Sequence, residues 1–224
     1  MGMIVPSLAQ WLEATGVFDA PGIFVTGTDT GVGKTHVGVQ LIHALRVLGR
    51  EVIPRKPVES GWLKDEALTD AGQLAQAAGV PLDKAICPYR FQAALAPPRA
   101  ANMAKQTLLL RDLAATCPLH WNKQQFLHVE GAGGFYSPLA NDGLNADLAQ
   151  ILGLPVVLVA EDRVGCINQV LLVAEAIKQR HLQLAGVILN VRQPPVEGMD
   201  NLTDLLGYLN VPLLRFPFNS SHFR

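Results

Sequence analysis

The sequence predicts an α/β fold in which a mainly parallel β-sheet lies between two layers of helices. Six short runs rich in Val, Ile and Leu recur along the chain, and each is almost continuously apolar, as strands buried on both faces are. Stretches with helical spacing separate these runs, and such alternation is typical of parallel sheets. The length of 224 residues, with 49% hydrophobic and 17% charged residues, suits one packed domain.

The predicted elements follow one another regularly. The predicted strands cover residues 22–27, 51–57, 126–131, 155–161, 185–191 and 211–216. The predicted helices cover about residues 33–48, 67–79, 106–116, 144–152, 167–181 and 198–209. Ligands of such folds bind beyond the carboxyl ends of the strands, so the loops after these runs are the candidate sites.

Two segments stand outside this alternation. Residues 1–21 are predicted to form an N-terminal extension with a short amphipathic helix, ahead of a domain at 22–224. Residues 80–105 contain four prolines and are predicted to form a long excursion from the sheet. Excursions of this length are often functional.

Composition excludes several classes of function. The 18 basic and 19 acidic side chains give a formal net charge of −1, so no global basic field attracts nucleic acid or anionic lipid. No apolar run reaches the roughly 20 residues of a membrane span, and the N-terminus lacks the features of a secretion signal. Cys87, Cys117 and Cys166 lie far apart, which argues against a zinc knuckle or a disulfide framework. We expect a reduced, cytoplasmic protein with small-molecule partners, no nucleic acid and no membrane.

The first predicted strand runs into GTDTGVGKT at residues 27–35, and a helix follows. This context predicts a phosphate-binding P-loop, in which glycines let successive N–H groups point at an anion beside a helix N-terminus. Lys34 would place its charge between the β- and γ-phosphates, and the Thr35 hydroxyl would coordinate Mg²⁺. Gly27 lies one residue further from the GKT than the usual spacing, so the loop is one residue longer. The predicted fold is therefore a single-domain, three-layer P-loop NTPase fold.

A second glycine-rich loop follows the strand that contains Glu130. We expect this carboxylate to lie at the carboxyl edge of the sheet and to hold Mg²⁺ directly or through water, while GAGG at residues 131–134 lets the backbone approach a phosphate. The Asn-Lys pair at residues 122–123 precedes a strand and so does not form a guanine-reading element. ATP is therefore the expected nucleotide, and Asn190 could read the adenine edge.

The second predicted strand leads to Lys56. Alone, this lysine would be interpreted as an ordinary surface residue whose stem packs on apolar neighbours. Beside the two loops above, it is interpreted as a second cation for charge that develops in phosphoryl transfer.

In this order, GTDTGVGKT, KPVESG, VEGAGG and RVGCIN resemble the dethiobiotin synthetase family, over roughly residues 22–216. The resemblance implies an ATP- and Mg²⁺-dependent homodimer of biotin biosynthesis that closes a cyclic urea. Its substrate 7,8-diaminononanoate takes up CO₂ as a carbamate, which attacks the γ-phosphate of ATP to give a carbamic-phosphoric anhydride. The second amine then closes the ring, and phosphate and ADP are released. Such chemistry needs positioning and charge stabilisation rather than a dedicated nucleophile.

The resemblance also implies roles for individual residues. Lys34 and Lys56 match the catalytic lysines. The implied Mg²⁺ ligands are Thr35, Asp70 and Glu130. The implied ATP contacts are Gly31, Val32, Gly33, Lys34, Thr35, His36, Glu130, Gly131, Ala132, Gly133, Asn190, Pro217 and Phe218. The implied substrate contacts are Thr30, Lys56 and Ser60, together with Gly165, Cys166, Ile167 and Asn168 of the neighbouring subunit, where a helix N-terminus would bind the substrate carboxylate.

The chain departs from the family pattern in three places. Gly31 stands where a glutamate is usual, and Gln169 stands where a histidine is common. The segment after FPF at residues 216–218 is short. A shortened cover over the base would fit a looser choice among nucleoside triphosphates, so equal saturation by ATP and CTP is a hypothesis to test.

Two other classes share the scaffold. An amidating synthase that acts on corrin carboxylates usually carries a glutaminase domain, for which 224 residues leave no room. A partitioning or membrane-recruited ATPase switch generally has an additional lysine near the start of the P-loop, where this chain has Thr28, Asp29 and Thr30. Dependence of ATP hydrolysis on the diamine and bicarbonate separates these alternatives.

Overall fold

A seven-stranded sheet, parallel throughout, forms the centre of the computed structural model, which describes residues 2–5, 7–118, 124–194 and 196–217. The strands are β1 (Met3–Ile4), β2 (Gly22–Gly27), β3 (Glu51–Arg55), β4 (Val58–Ser60), β5 (Tyr89–Phe91), β6 (Gln125–Gly134), β7 (Pro138–Ala140), β8 (Gly143–Leu144), β9 (Val156–Glu161), β10 (Leu184–Asn190) and β11 (Pro212–Phe216). The order in the large sheet is β1-β11-β10-β9-β2-β6-β3, and β4-β5 and β7-β8 form two small pairs.

Helices cover both faces of this sheet. They are α1 (Leu8–Thr15), α2 (Lys34–Val47), α3 (Asp70–Ala78), α4 (Pro97–Met103), α5 (Leu110–Ala115), α6 (Asn145–Leu152), α7 (Cys166–Gln179) and α8 (Asn201–Leu205), with 3₁₀ turns at Val17–Asp19 and Glu66–Leu68. No helix in the described ranges is both long and apolar enough to span a bilayer.

Strand β2 shows how the chain builds two cores. Its side chains alternate, so that Ile23 and Val25 pack on the face that carries α2, whereas Phe24 packs on the opposite face. All three side chains are fully buried. The predicted three-layer α/β fold with a parallel sheet is therefore confirmed.

Residues ahead of the first predicted strand belong to one of these cores. Strand β1 pairs with β11, and α1 buries Trp11 and Leu12 completely. The Trp11 indole Nε1 donates a hydrogen bond to the carbonyl oxygen of Pro212 at 3.1 Å. The expected division of the chain at residue 22 stays a prediction.

Several strands and helices begin or end at other residues than the sequence predicts. Strand β3 ends at Arg55, so Lys56 lies just beyond it. Strand β6 continues past Glu130 to Gly134, because Gly134 pairs with Gly27 of β2. The helix expected at 198–209 is confined to Asn201–Leu205.

The two edges of the large sheet are short or interrupted. Strand β1 has two residues, and β3 at the other edge contains Pro54, which has no N–H to offer a further strand. The excursion at 80–105 lies beside β3 and contains β5 and α4. Pairing of β5 with β4 holds Ser60 next to the end of β3.

Candidate functional site

A cavity of about 450 Å³ lies where β2, β3 and β6 end. Its walls come from the loop before α2, the segment between β3 and α3, the glycine loop of β6 and the end of β10. The lining residues are Thr30, Gly31, Gly33, Lys34, Thr35, His36, Lys56, Glu59, Ser60, Asp70, Gln73, Ala132, Gly133, Asn190, Val191, Arg192 and Pro217. Ligands of parallel α/β sheets bind at this edge.

The loop between β2 and α2 has the backbone of an anion nest. Gly31 and Gly33 have φ angles of 77° and 92°, which side chains other than glycine rarely allow. A Cβ on Gly33 would lie 2.1 Å from Nδ2 of Asn190. That amide nitrogen donates to the carbonyl oxygen of Val32 at 3.0 Å, so Asn190 braces the loop from the end of β10. The adenine contact expected for Asn190 stays a prediction.

Lys34 is the first residue of α2 and lies against the same loop. Its Nζ donates to the carbonyl oxygen of Asp29 at 3.2 Å, and its side chain is 7% exposed. Burial, assisted by the positive charge of Lys56, lowers the pKa of Lys34 to about 8. A bound anion would favour the charged form of this lysine.

Lys56 is buried between two carboxylates. Its Nζ lies 2.6 Å from Oε1 of Glu130 and 2.9 Å from Oδ2 of Asp70, and it donates to the carbonyl oxygen of Gly131 at 3.0 Å. Burial alone would lower the pKa of Lys56, but the charges of Asp70 and Glu130 outweigh it and raise that pKa. The ammonium group therefore stays charged at the end of β3.

Glu130 is fully buried and has spare acceptor capacity. Its Oε1 accepts from Lys56 and from Oγ1 of Thr35 at 2.9 Å, whereas its Oε2 has no hydrogen-bond partner in the part of the chain that the structure describes. Burial raises the pKa of Glu130 although Lys56 opposes this shift. Burial would also raise the pKa of Asp70, but Lys56 overcomes it and lowers that pKa.

Thr35, Asp70 and Glu130 are the residues expected to bind Mg²⁺. Among the described residues no three His, Cys, Asp or Glu side chains group as metal ligands. Two carboxylates and a hydroxyl nevertheless suit Mg²⁺, which keeps several waters and takes few protein ligands. The unpartnered, buried Oε2 of Glu130 is an acceptor that a cation would satisfy. The residues therefore fit the ion.

The glycine loop of β6 is shaped by Asn145, a residue that the sequence analysis missed. Its Oδ1 accepts from the Ala132 N–H at 2.9 Å, and its Nδ2 donates to the carbonyl oxygens of Ala132 at 2.7 Å and Ser137 at 3.0 Å. A Cβ on Gly131 would lie 2.5 Å from Oδ1 of Asn145. Only its position at the start of α6 could have signalled this contact.

Glu59 was also missed, although it belongs to the quoted KPVESG segment. Its side chain is 6% exposed and accepts from the backbone N–H groups of Asp70 and Ala71, both at 2.9 Å. Burial, with the neighbouring charge of Asp70, raises the pKa of Glu59. Arg192, another residue not singled out, donates a hydrogen bond to the carbonyl oxygen of Gly31.

The remaining predicted site residues fall into four groups. Thr30, His36, Ser60 and Pro217 line the cavity, and the His36 ring meets Phe216 edge-on at 5.5 Å. The Val32 side chain is buried in the core. Phe218 lies outside the described residues. The segment Gly165, Cys166, Ile167 and Asn168 starts α7 away from this cavity, and its assignment concerned the neighbouring subunit.

A strand, a glycine loop and a helix that begins Lys-Thr, set at the carboxyl edge of a parallel sheet, define a P-loop nucleotide-binding protein. A family model described as an AAA domain matches residues 21–220. A nucleotide-binding protein from Archaeoglobus fulgidus, solved with ADP, shares the fold with a TM-score of 0.50 and 14% identity, over 95% of this chain and 86% of that one.

Curated relatives give a closer comparison. An ATP-dependent dethiobiotin synthetase from Anaeromyxobacter dehalogenans is 42% identical over 175 residues, which cover 77% of this chain and 78% of the relative. Proteins of the same name from Ralstonia nicotianae and Nitrosospira multiformis are 40% and 37% identical and cover 85% and 90% of this chain, and 86% and 90% of their own lengths. The chain therefore belongs to the ATP-dependent dethiobiotin synthetase family.

Proposed function

We propose that this protein makes dethiobiotin in biotin biosynthesis by closing the ureido ring of 7,8-diaminononanoate with CO₂ and ATP. The observation that carries the proposal is that Lys34 and Lys56 line one cavity beside a P-loop. Similarity to named dethiobiotin synthetases over most of both chains supports the substrate.

The reaction divides into three balanced steps. One amine of the diamine adds to CO₂ and loses a proton, which gives a carbamate. A carbamate oxygen attacks the γ-phosphorus of ATP, the bond to the bridging oxygen breaks and ADP leaves. The second amine then attacks the carbamoyl carbon, its proton is lost, and phosphate leaves as the ring closes. Phosphorylation is needed because a carbamate oxygen is a poor leaving group.

The chain contributes positioning and charge to these steps. The glycine loop with the N-terminus of α2 offers N–H groups and a positive dipole end to phosphates. Lys34 and Lys56 would stabilise the negative charge of the transferring phosphoryl group, and this type of stabilisation is a major term in phosphoryl transfer. Ser60 and Thr30 line the cavity and would contact the diamine side.

Thr35, Asp70 and Glu130 would hold Mg²⁺. When bound, the ion would neutralise phosphate charge and favour departure of ADP. Lys56 would share the same two carboxylates, so the ion and the ammonium group compete for negative charge at the end of β3.

A homodimer and a cytoplasmic location are further parts of the proposal. Tyr136, Val164 and Leu172 are 49%, 67% and 64% exposed, and such apolar side chains near the start of α7 suit contact with a second copy. A second copy would then present the N-terminus of its α7, at Gly165 and Cys166, to the substrate carboxylate. The buried, unpaired thiols of Cys87, Cys117 and Cys166 suit a reducing compartment.

Phosphate release by the purified protein tests the reaction directly. Release should require ATP, bicarbonate and the diamine together, and mass spectrometry should detect dethiobiotin in equal amount. Hydrolysis of ATP at the same rate without the diamine would refute the proposal and favour a nucleotide switch.

Lys56→Gln tests the second cation. Turnover should fall roughly 1000-fold, because the charge near the transferring group is lost. Calorimetric affinity for an ATP analogue should fall far less than turnover, by no more than about tenfold. The matched control is Lys64→Gln, since Lys64 is an exposed lysine of the segment between β3 and α3. Normal turnover in Lys56→Gln would show that another group stabilises the transferring phosphoryl group.

A further inference from the structure

We propose that Glu59 is a positioning residue that holds Asp70 in place against Lys56 for the reaction. This inference rests on the proposed function. It assigns Glu59 no contact with substrate, since both of its carboxylate oxygens are turned toward the start of α3.

Asp70 is held at two points, its backbone N–H by Glu59 and its carboxylate by Lys56. Glu59 accepts from the Asp70 backbone N–H through Oε1 and from the next N–H, that of Ala71, through Oε2, both at 2.9 Å. Lys56 binds the carboxylate of the same aspartate at 2.9 Å. The backbone and the side chain of Asp70 are therefore held by residues three positions apart on one segment.

That segment is itself anchored on both sides. The Lys56 N–H donates to the carbonyl oxygen of Ile86 at 2.8 Å, and β4 pairs with β5 in register from Val58 with Tyr89. Lys56 also contacts Glu130 on β6. Because Lys56 is held by these contacts and the start of α3 by Glu59, loss of the Glu59 hydrogen bonds would free Asp70 to shift relative to Lys56.

Helix capping alone does not require a carboxylate at residue 59. Thr69 accepts from the Gly72 N–H at 3.0 Å and leaves the first two N–H groups of α3 to Glu59. A carboxylate that is 6% exposed and close to a second carboxylate carries a desolvation and repulsion cost, which a neutral side chain would avoid. Bidentate acceptance from two N–H groups gives a directional restraint that the threonine cap lacks.

The variant Glu59→Gln, with Thr69→Ala as matched control, separates positioning from capping. In Glu59→Gln one acceptor is replaced by an NH₂ group that faces an N–H, so kcat should fall about tenfold. The Mg²⁺-dependent affinity for a non-hydrolysable ATP analogue, measured by calorimetry, should weaken by a similar factor. Thr69→Ala should lower the melting temperature about as much as Glu59→Gln does. It should leave kcat and the affinity for the ATP analogue within about twofold of the wild-type values.

A double-mutant cycle with Asp70→Asn decides whether Glu59 acts through Asp70. In the Asp70→Asn background, Glu59→Gln should lower kcat by less than about a further twofold. A full tenfold loss in that background, or an equal kcat loss in Thr69→Ala, would overturn the proposal. If Glu59→Gln does not fold, Glu59→Asp, which is one methylene shorter, replaces it in the same cycle.

The same measurements keep this inference apart from the proposed function. Absence of diamine-dependent phosphate release in the wild-type protein would refute the proposed function. If the wild-type protein has that activity but Glu59→Gln leaves kcat and the analogue affinity unchanged, only the positioning role of Glu59 is refuted.

Discussion

The two lysines of the cavity lie in opposite electrostatic surroundings. On the P-loop wall, Lys34 has a carbonyl oxygen as its hydrogen-bond acceptor, and burial lowers its pKa to about 8. On the wall formed beyond β3, Lys56 touches two carboxylates, which raise its pKa. Both side chains are buried. The difference lies in what compensates each charge.

This contrast indicates a division of labour. The charge of Lys34 is incompletely compensated within the protein, so an anionic ligand gains most by binding there. The charge of Lys56 is compensated by Glu130 and Asp70, so removal of either partner would leave an uncompensated charge in the interior. Substitutions on the two walls should therefore affect different quantities.

Glu130→Gln should give the largest loss of stability. Removal of one partner from a buried ion pair should lower the free energy of unfolding by about 3 kcal/mol, since Lys56 loses its shortest contact. The Mg²⁺ concentration needed for half-maximal phosphate release should also rise. Urea denaturation measures the first effect and a Mg²⁺ titration the second. Glu161→Gln, at the end of the parallel strand β9, is the control, and equal losses in both variants would contradict this reading.

Lys34→Gln should weaken nucleotide binding and leave stability intact. Affinity for an ATP analogue should fall roughly 10- to 100-fold, which is the range for a charged hydrogen-bonding group. The free energy of unfolding at pH 7 should not fall, because the folded protein disfavours the charged lysine relative to the unfolded chain. Calorimetry and urea denaturation test the two statements. A stability loss as large as that of Glu130→Gln would remove the contrast between the walls.

His128, two residues before Glu130 on β6, should make stability depend on pH. It is fully buried, neither ring nitrogen has a hydrogen-bond partner in the described ranges, and burial lowers its pKa to about 4. Between this value and the unfolded pKa near 6.5 the unfolded chain binds more protons, so stability falls as pH falls. The loss from this group by pH 5 should be about 2 kcal/mol.

His128→Leu should remove that loss and stabilise the protein at pH 7, because no polar nitrogen then stays buried without a partner. Denaturation midpoints at pH 5 and pH 7 provide the measurement, and the exposed His43→Asn is the control. An unchanged pH dependence in His128→Leu would show that other groups carry it.

The smallest expected effect is proton uptake on nucleotide binding. With a pKa of about 8, Lys34 is half neutral at pH 8, and a nearby triphosphate should raise that pKa. Lys34 should then take up about half a proton on binding at pH 8 and almost none at pH 6.5. Calorimetry in buffers of different ionisation enthalpy measures this number, and Lys34→Gln should abolish the difference between the two pH values.

Much of the fold could be predicted because its signals are local. The strands at residues 22–27 and 155–161 are continuous apolar runs, and nearly the same residues form β2 and β9. The P-loop was recognisable because its glycines and Lys34 lie within nine residues of chain. Strands β1, β4 and β5 have two or three residues, too few for a periodic pattern, and only their partners define them.

The sequence pointed to Lys34, Lys56 and Glu130, whose roles stay predictions, but it did not point to the residues that support them. Lys56 and Glu130 were recognised by their place after buried strands, whereas the 2.6 Å contact between them spans 74 positions. Glu59 and Asn145 act on backbone groups 11 and 13 residues away. Such contacts depend on how elements pack, and no spacing in the chain encodes them.

Pro54 in the edge strand β3 bears on how copies of the chain can associate. A strand laid along that edge would find one hydrogen-bond donor missing, and the far edge offers only the two residues of β1. Growth of a continuous intermolecular ribbon, the first stage of fibril formation, is therefore disfavoured at both ends.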